Sequence, residues 1–155
     1  MREVERKFLV NSEQFRTEAE SELQIQQGFL NTDPERTVRV RLQNGAGKIT
    51  VKGISDQAGI SRFEWEQDIT EHEARQLLKL CTRAIITKTR YRIPCGAHVF
   101  EVDVFKGDNA GLIVAEVELE DPDEAFERPA WLGQEVTGDP KYYNAQLSIR
   151  AFKQW

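Results

Sequence analysis

The chain has 155 residues, of which 30% are charged, and its formal net charge is −5 at pH 7. This length suits one domain with a sizeable core, and the acidic balance argues against a nucleic-acid binder, because such proteins usually carry a basic excess. No apolar run approaches the roughly 20 residues of a membrane helix, and no signal-peptide pattern is seen. We therefore expect one cytoplasmic domain over residues 1–155, without a membrane or nucleic-acid partner.

The first half of the chain is dominated by alternation of apolar and polar residues, which predicts strands. The turn-rich segment "QNGAGK" (43–48) predicts a hairpin loop, and "GISDQAGIS" (53–61) predicts a longer one. In chain order we predict a strand over 2–9, a short helix over 13–21 capped by Ser12, and strands over 23–30, 36–43, 47–53 and 62–69.

The second half opens with a clear helix signal. Thr70 and Glu73 stand at the spacing of a capping box, which predicts a helix over 70–81. Asp121-Pro122 and Asp139-Pro140 each predict a helix start. The elements that follow the helix over 70–81 are strands over 86–93, 98–105 and 112–120, a helix after Asp121, and an amphipathic C-terminal helix over 141–155.

These elements predict an α+β fold that is mainly antiparallel β. Short connections between successive strands favour antiparallel pairing. An antiparallel sheet of eight strands tends to close on itself, because closure removes its edges. We therefore predict an eight-stranded closed β-barrel with a few peripheral helices.

The strands carry an unusual charge pattern, which begins in "REVERKFLV" (2–10). Glu3, Glu5 and Lys7 alternate there and would share one face of a strand. A half-solvated sheet also alternates, with its charges in water, but a solvated surface usually intersperses the two signs. Here single strands carry mostly one sign, as in "RVR", "FEWEQD", "TKTRYR", "FEVDVF" and "AEVELE".

If the charged faces point into the barrel, the lumen is a hydrated tunnel, because buried charges must be paired or metal-bound. Basic side chains would meet phosphate oxygens, and carboxylates become useful when a divalent ion lies between them and phosphate. Cys81, Cys95, His72 and His98 show no metal-binding spacing. The metal would then be held by carboxylates, which favours Mg²⁺ or Mn²⁺.

The sequence resembles the CYTH superfamily, also called triphosphate tunnel metalloenzymes, and looks closest to its short bacterial members. The signature E-x-E-x-K is present as "EVERK", and it is followed in the family's order by "RVRL", "TVK", "FEWE", "TKTRY", "FEVDVF", "VAEVEL" and "DPKYYN". The resemblance covers essentially the whole chain and implies a closed antiparallel tunnel that binds a small-molecule triphosphate. It also makes a homodimer an expected assembly.

The resemblance assigns roles to matching positions. Lys52, Glu64, Glu66 and Lys7 would be catalytic, the Lys52–Glu64 pair by orienting water. Phe29 stands where similar members often carry Tyr, which leaves the role of Lys7 less defined. The metal ligands would be Glu3, Glu5 and Glu118, with Glu116 and Asp103 for a second ion; the phosphate-binding residues would be Lys7, Arg39, Arg41, Lys52, Lys88, Arg90 and Lys141.

The function that the resemblance favours is an inorganic triphosphatase that hydrolyses tripolyphosphate to pyrophosphate and orthophosphate. The alternatives within the family are a nucleoside or thiamine triphosphatase and an adenylate cyclase that cyclises ATP. Each of these needs a pocket for the organic group, and no additional segment for one is evident in so short a chain. A non-catalytic polyphosphate-binding module is a further alternative, although it would have no use for paired Glu-x-Glu carboxylates.

Overall fold

A computed structural model of the chain describes residues 2–31, 33 and 35–155. Within these residues it contains nine strands and three short α-helices. The strands are β1 (Arg2–Val10), β2 (Ser21–Phe29), β3 (Thr37–Gln43), β4 (Ala46–Lys52), β5 (Ser61–Ile69), β6 (Ile86–Cys95), β7 (His98–Phe105), β8 (Ile113–Glu118) and β9 (Leu132–Glu135); the helices are α1 (Phe15–Glu18), α2 (Glu71–Leu78) and α3 (Asn144–Leu147).

The strands β1 to β8 form a closed antiparallel barrel, as predicted. The hydrogen-bonded order is β5-β4-β3-β2-β6-β7-β8-β1, and β1 also pairs with β5, which closes the ring. β9 lies outside the ring and pairs with the end of β1, where Phe8 opposes Glu135. This ninth strand was not predicted, because its four residues, "LGQE", carry no apolar alternation.

The β3–β4 hairpin shows how local sequence fixes the barrel's register. Asn44 and Gly45 both have positive φ angles, 47° and 81°, and Gln43 opposes Ala46 directly across the turn. Asn-Gly suits such a two-residue turn, because Gly and Asn tolerate the left-handed region. The predicted hairpin loop is therefore confirmed, and it sets the pairing that places Thr37 opposite Lys52.

The hydrophobic core surrounds the barrel rather than filling it. The largest cluster contains Phe8, Phe15, Phe100 and Trp131, each fully buried, between outer faces of the barrel and the segments that cover them. A second cluster lies around Leu147, and a third joins α2 to β3. Because side chains alternate along a strand, turning the apolar faces outward leaves the charged faces for the lumen.

The helices agree only partly with the prediction. Thr70 caps α2 in a complete capping box with Glu73, as expected. The predicted helix after Asp121 is wrong: the described residues there form a turn, in which the Asp121 carboxylate accepts a hydrogen bond from Asp123 N–H at 2.9 Å. No helix in the described ranges is both long enough and apolar enough to span a bilayer.

The predicted C-terminal helix is divided into three short pieces. Asp139 accepts from Lys141 N–H and starts a 3₁₀ turn over Pro140–Tyr142, but Tyr143 is extended, with ψ of 136°. The segment then continues as α3 and a final 3₁₀ turn over Phe152–Gln154. This broken path carries residues 143–149 across the tunnel opening, where several of them line the cavity.

Candidate active site

The barrel encloses a cavity of about 900 Å³, and all eight strands of the ring contribute to its lining. Ten lysine and arginine side chains and nine aspartate and glutamate side chains of the described residues line it. The prediction that the charged faces occupy the lumen is therefore confirmed. Such a mixture of charges cannot be dry unless the groups are paired or bound by ions.

Four cations from β3 and β6 form the basic part of the cavity: Arg39, Arg41, Lys88 and Arg90. Lys88 is completely buried, and its Nζ lies 2.7 Å from Asp103 Oδ2. Arg90 binds the same carboxylate through two hydrogen bonds, of 2.7 and 2.9 Å. One carboxylate thus serves two buried cations, so the group keeps an excess of positive charge.

The pKa values of two members of this group, Arg41 and Lys88, are lowered by burial and by neighbouring cations. Burial, with Arg39 and Arg90 nearby, holds the pKa of Arg41 well below its usual range. Burial also lowers the pKa of Lys88 to about 7; Asp103 opposes this shift, and Arg90 and Arg41 add to it. An anion placed among these residues would replace repulsion between cations with attraction.

A pair of neutral side chains holds this basic group in place. Arg41 Nε donates to Gln27 Oε1 at 2.9 Å, and Gln27 Nε2 donates to Asn144 Oδ1 at 2.8 Å. The same Asn144 oxygen accepts from Lys88 Nζ at 3.0 Å. Neither Gln27 nor Asn144 was predicted, because a single amide on a strand or helix gives no charge pattern to detect.

The acidic part of the cavity lies along β1 and β8. Glu5 opposes Glu118 directly in the ladder, and Lys7 opposes Glu116. Lys7 Nζ lies 2.8 Å from Glu116 Oε1 and 3.3 Å from Glu5 Oε1. Burial raises the pKa of Glu5, and Glu116 and Glu3 raise it further. Phe29 is buried and also lines the cavity. The ammonium of Lys7 is restrained by the carboxylates of Glu5 and Glu116.

A second ion-pair cluster joins β1, β4 and β5. Lys52 Nζ lies 2.8 and 2.9 Å from the two oxygens of Glu3 and 3.3 Å from Glu64 Oε2. Arg62 Nε lies 3.2 Å from Glu3. Burial opposes ionisation of Glu3, but Lys52, Glu64 and Arg62 together outweigh it and lower the pKa to about 2. Burial and Glu3 raise the pKa of Glu64 to about 7.

The carboxylates suit a hard cation by their chemistry, but they are not gathered around one point. No group of three His, Cys, Asp or Glu among the described residues is arranged to hold an ion. Glu3 is drawn to Lys52 and Arg62, whereas Glu5 and Glu118 face each other across β1 and β8. The raised pKa of Glu5 and of Glu118, caused by burial and by neighbouring carboxylates, is the signature of charge that a cation would relieve.

Two predicted site residues lie away from the cavity surface. Asp103 is 1% exposed, and its carboxylate is the counter-ion of Lys88 and Arg90 in this structure. Lys141 is exposed, with its Nζ 4.7 Å from the ring centre of Trp155. Its neighbour Pro140 lines the cavity, but Lys141 itself is not among the lining residues.

The remaining predicted residue, Glu66, lines the cavity from an exposed position on β5. It accepts a hydrogen bond from Thr50 at 2.9 Å and lies 3.6 Å from Arg39. Four cations that line the cavity lie outside the predicted site: Lys48, Arg62, Arg83 and Arg92. Arg62 continues the alternation of β5 by one position and could have been found from it, whereas Arg83 lies in the loop before β6, where no periodicity operates.

A closed antiparallel barrel with a lumen of paired cations and carboxylates defines a class of tunnel proteins suited to polyanions. Residues 1–146 match the CYTH domain, so the chain belongs to the CYTH family. The resemblance found in the sequence motifs is thereby confirmed.

Similar proteins agree in length as well as in sequence. The inorganic triphosphatase of Acetivibrio thermocellus is 42% identical over 153 residues, covering 98% of this chain and 96% of that protein. The inorganic triphosphatase of Nitrosomonas europaea is 36% identical over 156 residues, covering 96% and 98%. The crystal structure of the inorganic triphosphatase NE1496 superimposes with a TM-score of 0.66 at 33% identity, covering 95% of this chain and 94% of that one.

Proposed function

We propose that the protein is a divalent-metal-dependent inorganic triphosphatase, which hydrolyses tripolyphosphate to pyrophosphate and orthophosphate inside the barrel. The observation that carries this proposal is the division of one cavity into a cation-rich part, around Lys88 and Arg41, and a carboxylate-rich part, around Glu5 and Glu118. The two relatives named inorganic triphosphatase, matched over nearly their whole length, support the choice of substrate.

The basic group binds the substrate. Arg39, Arg41, Lys88 and Arg90 would contact the phosphate oxygens, with Lys7 and Lys52 at the border with the carboxylates. Arg41 suits this role because none of the described carboxylates forms an ion pair with it, and its contact with Gln27 leaves other guanidinium donors free. Phosphoryl transfer needs mostly positioning and electrostatic stabilisation, and a fixed array of cations supplies both.

The carboxylates Glu3, Glu5 and Glu118 would hold Mg²⁺ or Mn²⁺, with Glu116 in support. When bound, such an ion neutralises charge on phosphate oxygens and acts as a Lewis acid. The opposed pair Glu5 and Glu118 provides hard oxygen donors whose mutual repulsion favours a cation between them. Asp103 and Lys141 are left out of the site, because the structure engages both side chains elsewhere.

The Lys52–Glu64 pair would orient the attacking water. The two groups lie 3.3 Å apart and both line the cavity, so a water hydrogen-bonded to Glu64 would be held close to an ammonium. Glu66 lies two residues further along β5. Its contacts with Thr50 and Arg39 would hold the Arg39 side chain in position for phosphate binding.

A comparison of turnover on tripolyphosphate, ATP and thiamine triphosphate tests the proposal. Each substrate is assayed with Mg²⁺, with Mn²⁺ and with a chelator, by release of orthophosphate and pyrophosphate. We expect tripolyphosphate to give the highest kcat/KM and the chelator to abolish turnover. A tenfold or greater preference for ATP would contradict the substrate, and undiminished turnover in chelator would contradict the metal.

A further inference from the structure

The loop between α2 and β6 brings one arginine, Arg83, to the cavity. Arg83 lines the same cavity as the basic group, yet its Nε is buried and has no hydrogen-bond partner in the described part of the chain. It also forms no ion pair with any described carboxylate, unlike Lys52 or Arg90. A buried guanidinium donor without a partner is costly, so the position calls for an anion.

The loop holds Arg83 at a fixed place because the backbone is anchored on both sides of it. Thr82 N–H donates to Phe29 O at 3.2 Å, and Ala84 N–H donates to Ser148 O at 3.2 Å. Arg83 is therefore clamped between the end of β2 and the C-terminal segment. Because this backbone is already ordered, only the side chain of Arg83 has conformational freedom to lose on binding a ligand.

Arg39 lies next to this position across the sheet. Arg39 opposes Phe29 in the β2–β3 ladder, and Phe29 O also accepts the hydrogen bond from Thr82 in the Arg83 loop. Phe29 is therefore the common neighbour of Arg39 and of this loop. The Nε of Arg39 is also buried without a hydrogen-bond partner. Of the buried unpartnered side-chain atoms in the described residues, two of three are thus guanidinium donors on the wall of one cavity.

We infer that Arg83, together with Arg39, forms a binding position for the terminal phosphate of the polyphosphate chain. Its ligand is a phosphate group carried on a chain that also occupies the central cations Arg41 and Lys88. Arg83 thereby selects for chain length, because a shorter anion that fills the central position does not reach it. This inference rests on the proposed substrate, and it adds a binding residue that lies outside the strand motifs.

The test compares binding of tripolyphosphate and of pyrophosphate by calorimetry, with chelator present so that no hydrolysis occurs. The variant is Arg83→Gln, and Arg75→Gln is its control: Arg75 is an exposed arginine on α2 that pairs with Glu71, so the control makes the same change of net charge away from the cavity. We expect Arg83→Gln to weaken tripolyphosphate binding by about tenfold to a hundredfold, because it removes a charge-assisted contact. Pyrophosphate binding should change less than twofold, and Arg75→Gln should leave both unchanged.

Equal losses for the two anions, or no loss for either, would overturn the inference. Arg83→Lys guards against a folding defect, because it keeps the charge and should recover part of the lost affinity; its failure to do so would also count against the position. Wild-type hydrolysis is measured separately with metal: if tripolyphosphate is bound but not hydrolysed, the proposed function fails while the chain-length comparison still decides the role of Arg83. If the wild type binds neither anion, the inference is overturned.

Discussion

Glu5 shows how one side chain can serve function at the expense of the metal-free fold. Glu116 and Glu3 lie near its carboxylate and Glu118 opposes it in the ladder, whereas Lys7 and, less strongly, Lys52 offer compensation. Burial, Glu116 and Glu3 raise its pKa above the usual 4.5. An acid with a raised pKa destabilises the fold while it is ionised, so the cost is present at neutral pH and disappears as the pH falls below 4.5.

Replacement of Glu5 by Gln should therefore separate activity from stability. We expect Glu5→Gln to lower kcat at least a hundredfold, because it removes a proposed metal ligand. The same change should raise the free energy of unfolding of the metal-free protein by roughly 0.5–1 kcal/mol at pH 7–8. Urea unfolding in chelator at several pH values measures this gain, which should shrink as the pH falls and vanish near pH 4.

Glu22→Gln is the matched control, since Glu22 is an exposed residue of β2 outside the cavity. It should leave both quantities unchanged. Near-normal turnover of Glu5→Gln would refute the metal assignment, and a loss of stability at neutral pH would refute the repulsion argument.

At the scale of elements, the strands could be predicted because their signal is periodic and local. The alternation in "RVRL" and "FEVDVF" shows which side chains share one face of a strand, and the same side chains share a face in the barrel. The helix starts at Asp121 and Asp139 rested on capping residues alone. Capping satisfies the first turn, but nothing in "PDEAF" provides an apolar stripe to bury, and Tyr143 turns the last segment along the tunnel opening.

The residues of the candidate site also differ in whether a periodic sequence signal could predict them. Arg39, Arg41 and Glu5 could be predicted because they lie on strands with a regular period. Arg83 and Asn144 could not, because tertiary contacts bring a loop and a short helix to the cavity. The engagement of Asp103 by two cations follows from the β6–β7 hairpin, in which Arg90 opposes Asp103 directly, and the sequence analysis did not assign that register.

The helix α3 contributes one neutral acceptor to the cation group of the cavity. Asn144 Oδ1 holds Lys88 directly and Arg41 through Gln27, without cancelling the charge of either cation. We expect Asn144→Ala to raise the KM for tripolyphosphate about tenfold with a smaller change in kcat, because two hydrogen bonds of the relay are lost. Steady-state kinetics at fixed metal concentration measures the effect.

Two further variants test whether the lost hydrogen bonds of Asn144 cause the rise in KM. Asn144→Asp keeps the acceptor oxygens but adds a negative charge beside Lys88, so it should bind tripolyphosphate more weakly than Asn144→Ala does. Asn11→Ala makes the same deletion at an exposed site and should have no effect. Wild-type affinity in Asn144→Asp would show that the residue only supports packing.

The whole molecule places its apolar core outside the barrel and a dense set of charged side chains in the lumen, so titration in the lumen concerns the cavity rather than the apolar core. Lys88 is the group most open to this, because burial, with Arg90 and Arg41 nearby, lowers its pKa to about 7 although Asp103 is in contact. We therefore expect Lys88 of the free protein to lose its proton as the pH rises above 7. A bound polyphosphate favours the ammonium form, so binding above pH 7 should take up a proton.

The affinity of the metal-free protein for tripolyphosphate should therefore fall as the pH rises from 7 to 9, by up to about tenfold per unit for one coupled proton. Calorimetry at pH 8 in two buffers with different heats of ionisation counts the protons taken up on binding. Lys88→Arg keeps a cation that does not titrate in this range, so it should bind without proton uptake and keep its affinity at pH 9. Equal proton uptake by the wild type and Lys88→Arg would assign the titration to another group, and no uptake by the wild type would mean that Lys88 is already charged in the empty tunnel.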